Sequence, residues 1–404
     1  MSDADPYAHR RGDAVIELTD ERGVALSDTD VQVRQLRHAF QFGCTAVDLD
    51  ADESLRSLWL DLFDTATLPR FYWGRYEPER GRTRRDAVLR LARWYAERGV
   101  RLKGHPLVWH TVKPRWLDEL PLPEAETLLR GRIRREVRDF AGLVDAWDVI
   151  NETVIMPRFD NEPDGIANAV TRLAAQKGRV EMVRLAVDEA RSVGTASLLV
   201  LNDFDLGPEY EHLIEDVLDA GIPIDAIGLQ SHMHQGFRGE DGLREICDRF
   251  ARFGLPLHWT ETTLVSGDLM PAEIVDLNDY RVDAWPSTAQ GEQRQAAEIV
   301  RHYRTLVEHP AVQSITYWGL DDATAWLGAP AGLVRTDGTP KPAYRALHDL
   351  IRGEWWLPPQ TSRTDQAGRI TLAGFAGTYE ITTARGRTVA EIRPGASQTV
   401  AAMA

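Results

Sequence analysis

Two apolar runs in this chain each close on a glutamate. Trp147-Asp-Val-Ile-Asn-Glu152 ends in an amide and a carboxyl, and His258-Trp-Thr-Glu261 repeats the pattern further along. One such glutamate is an ordinary strand end. Two that face each other can break a glycosidic bond with retention: one carboxylic acid protonates the departing oxygen while the other carboxylate attacks the anomeric carbon, at a separation of roughly 5 to 5.5 Å. Like charges at that distance split the two titrations. The anionic nucleophile holds its neighbour protonated near neutrality until the glycosyl-enzyme forms, and the neighbour then serves as base for water. On this reading Glu152 is the acid/base and Glu261 the nucleophile.

Other apolar runs end in groups suited to sugars: Gly104-His-Pro-Leu-Val-Trp-His110, Leu201-Asn-Asp203, Gln230-Ser-His232 and Tyr317-Trp-Gly319. Amides and imidazoles give directional hydrogen bonds to hydroxyls, and indoles offer a flat face to the C–H side of a sugar ring. His105 and His110 have no third ligand at a recognisable spacing, and paired-carboxylate hydrolysis uses none, so neither a metal nor another cofactor is expected.

These strand ends must be brought into one ring. Eight apolar runs bounded by turn residues alternate with amphipathic stretches: 38–47, 65–72, 101–109, 143–151, 196–203, 224–231, 256–261 and 312–319. Eight βα repeats close a TIM barrel, whose catalytic groups sit at the C-terminal ends of the strands. Helical spacing is read over 128–140, 179–193, 211–218, 243–253, 293–307 and 343–351, and over a stretch from Thr83, as cap, to Gly99. Ahead of the barrel, Val15-Ile-Glu-Leu-Thr and Val31-Gln-Val-Arg-Gln-Leu alternate around Asp20-Glu-Arg-Gly23, which predicts a β-hairpin. Beyond Trp355-Trp356 the run from Arg369 reads as glycine-punctuated strands. A short meander cannot bury both its faces, so this tail is expected to pack with the N-terminal segment. The expected fold is therefore an α/β (β/α)8 barrel over 38–354, with a small β subdomain made from 1–37 and 355–404. The tail's aromatics are Phe375 and Tyr379, too few for a sugar-stacking platform, so its role is expected to be structural.

Composition limits the partners. The 404 residues are 43% hydrophobic, enough for a full core, and 47 Lys+Arg against 62 Asp+Glu give a formal charge of -15. That balance repels polyphosphates and anionic membranes, so neither nucleic acid nor membrane is expected and a neutral partner is the better expectation, which a carbohydrate substrate of the paired glutamates satisfies. Cys44 and Cys247 read as buried free thiols. Met1 to Asp13 lacks an apolar leader core, which points to the cytoplasm.

From about Phe40 to Ile351 the ordered set of motifs resembles glycoside hydrolase family 10, the xylanase family. Trp147 to Glu152 is similar to the family's acid/base segment, Glu261 stands at its nucleophile position, and Lys341-Pro-Ala-Tyr344 resembles its closing signature. The resemblance implies a retaining β-glycoside hydrolase in which Asn151 binds the sugar 2-hydroxyl, His105 and Trp109 line the glycone side, Gln230 and His232 hold the nucleophile, and Trp318 and Trp326 wall the pocket. The chain also departs from that pattern. Where the family carries a Glu-Asn pair and a Lys after the second strand, this chain has Leu68, Pro69 and Tyr72; where it has an Asp two residues past the nucleophile, this chain has Thr263. Leu and Pro make no side-chain hydrogen bonds, so the distal glycone site is expected to be altered or closed. Xylan-type or short β-oligosaccharides fit the resemblance, while a gluco- or xylo-configured aryl or terpenoid β-glycoside fits the departures. A barrel that only binds carbohydrate would not need to keep both glutamates.

Overall fold

The computed structural model describes residues 5–162 and 165–403; the outermost residues of the two terminal segments, 1–4 and 404, lie outside them. The chain begins with β1 (Arg11–Thr19) and β2 (Asp30–His38). It then forms β3 (Gln41–Thr45), β4 (Thr65–Leu68), β5 (Arg101–Gly104), β6 (Ala146–Asn151), β7 (Leu198–Asp203), β8 (Ala226–Leu229), the two-residue β9 (His232–Met233), β10 (Leu257–Leu264) and β11 (Val312–Tyr317). After these come β12 (Gln360–Arg363), β13 (Arg369–Phe375), β14 (Gly377–Thr382), β15 (Arg387–Ile392) and β16 (Gly395–Met403).

Strands β3, β4, β5, β6, β7, β8, β10 and β11 are parallel in that order, and β11 pairs back onto β3 to close the barrel. Every residue of β4, β6, β8 and β10 is buried, because helices cover the outside while side chains fill the inside. The helix Arg85–Ala96 buries Val88, Leu91, Ala92 and Tyr95 against this wall. Arg84, not Thr83, is its first flanking residue, and no side chain caps it; Thr83 sits one residue too far upstream. The helix read from Leu128 begins at Leu122, with Pro123 in the first turn, where its missing N–H costs nothing. Helices Glu53–Leu62 and Ala169–Lys177 were not read from the sequence.

Strand ends shift in informative ways. The run read over 65–72 stops at Leu68, because Pro69 cannot donate to a ladder and the chain turns into the short helix Trp73–Tyr76. β10 instead runs past Glu261 to Leu264, where Thr263 and Leu264 pair with His232 and Met233 of β9.

The N-terminal hairpin does not form. β1 lies between β13 and β16 in one sheet, while β2 lies between β12 and β14 in another. The connection between them is too long for a tight turn, and the alternation of both strands is satisfied by stacking rather than pairing. Ile16 and Leu18 from one sheet and Val31, Val33, Tyr379 and Ile381 from the other share a single apolar core. The small β subdomain beside the barrel is thus a two-layer sandwich in which both sheets mix N- and C-terminal strands. Tyr379 is buried in it, Phe375 at the end of β13 is buried in the barrel's own core cluster instead, and the thiols of Cys44 and Cys247 are free and buried.

Candidate active site

β6 carries Asn151 and Glu152 out of the core at its C-terminal end, and β10 carries Glu261. Glu152 follows the last residue of β6 with φ +57°, a left-handed conformation uncommon for a residue with a side chain. Neighbouring contacts hold it there: its N–H donates to the Asn202 carbonyl at 2.8 Å, and the N–H of Val154, two residues on, donates to the buried Asp203 carboxylate at 2.9 Å. Strain of this kind persists where surrounding structure over-determines it, and it points the carboxyl into the barrel mouth.

Both carboxylates are ringed by donors. Glu152 Oε2 accepts from the Trp109 indole at 2.7 Å, and Oε1 accepts from Asn151 Nδ2 at 3.1 Å and Gln230 Nε2 at 3.3 Å. Glu261 Oε2 pairs with His232 Nε2 at 3.1 Å, and Oε1 accepts from Asn202 Nδ2 at 2.8 Å. The same Asn202 amide donates to Asn151 Oδ1 at 2.7 Å, so one side chain ties the two strand ends together. Thr260 Oγ1 donates to Asn202 Oδ1 at 2.6 Å and fixes which way that amide faces. Space for it comes from β8: a Cβ at Gly228 would lie 2.4 Å from Asn202 Oδ1.

The two glutamates are driven in opposite directions. Burial is the main reason that Glu152 is pushed up to about 8, with the charges of Glu261 and Asp203 adding to it against the Trp109 hydrogen bond. Glu261 is buried as well, which by itself raises it, but the charge of His105 and the hydrogen bond and charge of His232 outweigh burial and bring it below the usual carboxylate range. Near neutral pH one group is an acid and the other an anion.

Around them, His105 Nδ1 sits 2.7 Å from Asp148 Oδ2, and Lys103 Nζ is 2.7 Å from Asp148 Oδ1, a buried chain of three polar side chains. Tyr72 lies 5.3 Å from Trp109 and 5.7 Å from His105, ring to ring, while Trp318 lies 5.1 Å from His105 and Trp326 lies 4.9 Å from His232. All ten residues singled out from the sequence therefore gather at one mouth. Gln230 is the correction: it was expected to hold Glu261, but β8 ends nearer Asn151 and its amide reaches Asn151 Oδ1 at 3.2 Å and Glu152 instead. Asn202 takes the place beside Glu261. In the sequence Leu201-Asn-Asp203 shows only as a polar strand end, and the signal of Lys103 and Asp148 is a charge set inside an otherwise apolar strand.

Thr263, which stands where an acidic residue was expected, touches both histidines of β9 and the segment after it. Its Oγ1 lies 3.5 Å from His232 Nδ1 and 3.5 Å from His234 Nδ1 and accepts the Met233 N–H at 3.2 Å. On the other side, Leu68 is fully buried and the Arg70 guanidinium is committed to Asp48 through contacts of 2.9 and 2.7 Å.

The profile of Glycosyl hydrolase family 10 matches residues 42–350, most of the chain. The chain belongs to that family. It is 29% identical over 285 residues to endo-1,4-beta-xylanase A of Cellvibrio japonicus, covering 65% of this chain and 46% of that protein. It is 28% identical over 264 residues to an endo-1,4-beta-xylanase of Geobacillus stearothermophilus, covering 62% and 75%. The chain thus spans less than half of the first relative and three quarters of the second. Among solved structures, xylanase 10B from Thermotoga petrophila in complex with xylobiose superposes with a TM-score of 0.63 at 23% identity, covering 78% of this chain and 95% of that one. The family 10 chain from Paenibacillus barcinonensis does so with a TM-score of 0.63 at 24% identity, covering 78% and 96%. The match and the barrel place the chain among the glycoside hydrolases of family 10, and the match ends before the β sandwich's C-terminal strands.

Proposed function

We propose that the chain hydrolyses β-glycosidic bonds of xylan-type or short β-oligosaccharides by double displacement, with Glu261 as nucleophile and Glu152 as acid/base. The observation that carries this is the opposed state of two carboxylates at the same mouth. Glu261 attacks the anomeric carbon as the bond to the leaving oxygen breaks, and Glu152 gives its proton to that oxygen. Loss of the Glu261 charge on forming the ester removes one reason for Glu152 to hold a proton, so Glu152 can then take one from water, whose oxygen attacks the same carbon and releases Glu261. Asn151, fixed between Asn202 and Gln230, is placed to meet the 2-hydroxyl of the bound sugar, and Trp318 and Trp326 to cover its face.

A second reading is favoured by Leu68, Pro69 and Tyr72. With no free polar side chain from the first two and the ring of Tyr72 set against His105 and Trp109, the glycone side suits a single sugar on a small β-glycoside better than a long polymer. Aryl β-xyloside, β-xylobioside, β-glucoside and β-cellobioside offered to wild type and Glu261→Ala, with the first-formed anomer read by NMR, test both. Retention by wild type with a dead variant is the expected result. A fully active variant, or an inverted product, would overturn the assignment; preference for the monosaccharide glycosides selects the second reading.

A further inference from the structure

The hydrogen bond from the Trp109 indole to Glu152 is only as well aimed as the loop that carries Trp109, which leaves the end of β5. Just before Trp109 that loop is tied to β6 itself, where the Asn151 N–H donates to the Val108 carbonyl at 2.9 Å. Just after Trp109 the tie comes from further along the chain: Asn168 Nδ2 donates to the His110 carbonyl at 3.0 Å. Asn168 is 1% exposed and immediately precedes the helix Ala169–Lys177.

The Asn168 amide is held from every side. Its Oδ1 caps that helix, accepting the Val170 and Thr171 N–H groups at 2.9 and 3.0 Å, and Nδ2 also donates to Glu162 Oε1 at 2.6 Å. Two donors and two lone pairs are thereby all engaged. Glu162 Oε2 in turn lies 3.5 Å from Lys113 Nζ, Lys113 Nζ lies 2.7 Å from Asp118 Oδ2, and Asp118 Oδ1 accepts the Ala169 N–H at 2.7 Å. These contacts close a ring that binds the segment after β5 to the segment after β6. Capping a helix asks only for an acceptor, which serine supplies as well as asparagine does. The donor to the His110 carbonyl is the part that the helix does not need.

Resting on the reading of Glu152 as acid/base, we propose that Asn168 is a positioning residue for that acid: it fixes the peptide that follows Trp109 and so keeps the indole aimed at Glu152 Oε2. Asn168 acts through Trp109 and not on the reacting atoms. Because the cap and the donor are separate ends of one amide, one can be removed without the other.

The test is Asn168→Ser, which keeps a capping oxygen and loses the donor, assayed on methyl and 2,4-dinitrophenyl β-xylobiosides and on the matching β-xylosides and β-glucosides. Methanol leaves only with the proton of Glu152, whereas dinitrophenolate leaves without it, so kcat/KM is expected to fall about 10-fold on the methyl glycoside and less than about twofold on the dinitrophenyl one. The ratio of the two does not depend on how much of a preparation is folded. The alkaline limb of kcat/KM is expected to move upward by about half a pH unit, because a weakened indole bond favours the neutral acid. Glu152 also faces Glu261, Asp203, Tyr72 and His110; His110 Nε2 lies 3.9 Å from Oε2, and burial pushes that imidazole down to about 3, so it stays neutral along this limb. A path through the indole is told from one through these neighbours by Asn168→Ser/Trp109→Phe, which is expected to lose no more than Trp109→Phe alone. Equal losses on both glycosides, an unmoved limb, or losses that add overturn the proposal alone when Glu152→Ala shows the leaving-group dependence of a missing acid. A Glu152→Ala enzyme equally impaired on both glycosides overturns the acid/base reading with it. If Asn168→Ser does not fold, Asn168→Asp, isosteric and still a cap, is judged by the same outcomes.

Discussion

Glu152 and Glu261 are the same side chain at the ends of two strands of one barrel, and both are removed from water, yet they arrive at opposite charge states. The surroundings of Glu152 are an indole and two amides, which hydrogen-bond without carrying charge, and its nearest charged neighbours, Glu261 and Asp203, are acidic. The surroundings of Glu261 include His105 and His232, and the first of these rests on the buried Asp148–Lys103 pair. Burial pushes both carboxyls toward the neutral form; beside Glu261 the two histidines outweigh it, and beside Glu152 no such group does. The one shared neighbour, Asn202, is neutral and couples their positions without equalising their charges.

The comparison is broken most directly by removing each carboxyl. Glu261→Ala is expected to lose ~10⁵-fold in kcat, with added azide restoring turnover through an α-glycosyl azide, the inverted product. Glu152→Ala is expected to lose about 10²- to 10⁴-fold on alkyl or sugar leaving groups and far less on acidic phenols, and azide then yields the β-azide. If NMR finds the same azide anomer from both variants, the two sites are not distinct.

Smaller changes sharpen it. Asn202→Ala removes charged hydrogen bonding at Glu261 and the tether to Asn151, and about a 10- to 100-fold loss in kcat/KM is expected. Gly228→Ala should resemble it, since the new methyl occupies the Asn202 amide's space; a Gly228→Ala enzyme with wild-type kinetics would show that the tether does not matter. Glu152→Gln bears on stability. A carboxyl raised in the folded state binds more protons there than in the unfolded chain, so stability falls as pH rises from the unfolded value, roughly 4.3, to about 8. The glutamine escapes that loss, and a gain on the order of 2 kcal/mol at pH 8, absent at pH 4, is expected in chemical denaturation. Finally, kcat/KM of wild type should fall above about 8 as Glu152 ionises, and on the acid side only below the usual carboxylate range, where Glu261 gains its proton. Trp109→Phe removes a hydrogen bond to the ionised form and should move the alkaline limb upward by roughly one pH unit or less. A downward shift would mean that the indole favours the neutral acid.

The barrel and the mouth were legible because both depend on local pattern: apolar runs of strand length, each ending on a polar group, can be counted along the chain. What failed depended on pairing across the chain. β1 and β2 alternate as hairpin strands do, but alternation reports only that one face is buried, and a sheet stacked in front satisfies it as well as a partner beside it. Gln230 went to Glu152 for a similar reason, since the strand end was right while the choice between two acceptors rests on where β8 stops relative to β6. Asn202 was visible as a type at a strand end, but its hold on both glutamates depends on the absence of a side chain at Gly228, on the next strand.

The sandwich also sets an order in time. β1 is made before every barrel strand, yet its partners are β13 and β16, more than 350 residues downstream in register, as in Ile16 with Ile370 and Val400. While the eight barrel strands are being added during synthesis, β1 has both edges open, its apolar face can only be covered later, and no native partner exists to compete with a wrong one. A strand made after the whole barrel is thus the one that completes β1, and loss of residues 395–403 would strand β1 with an uncovered edge while leaving every barrel strand in place.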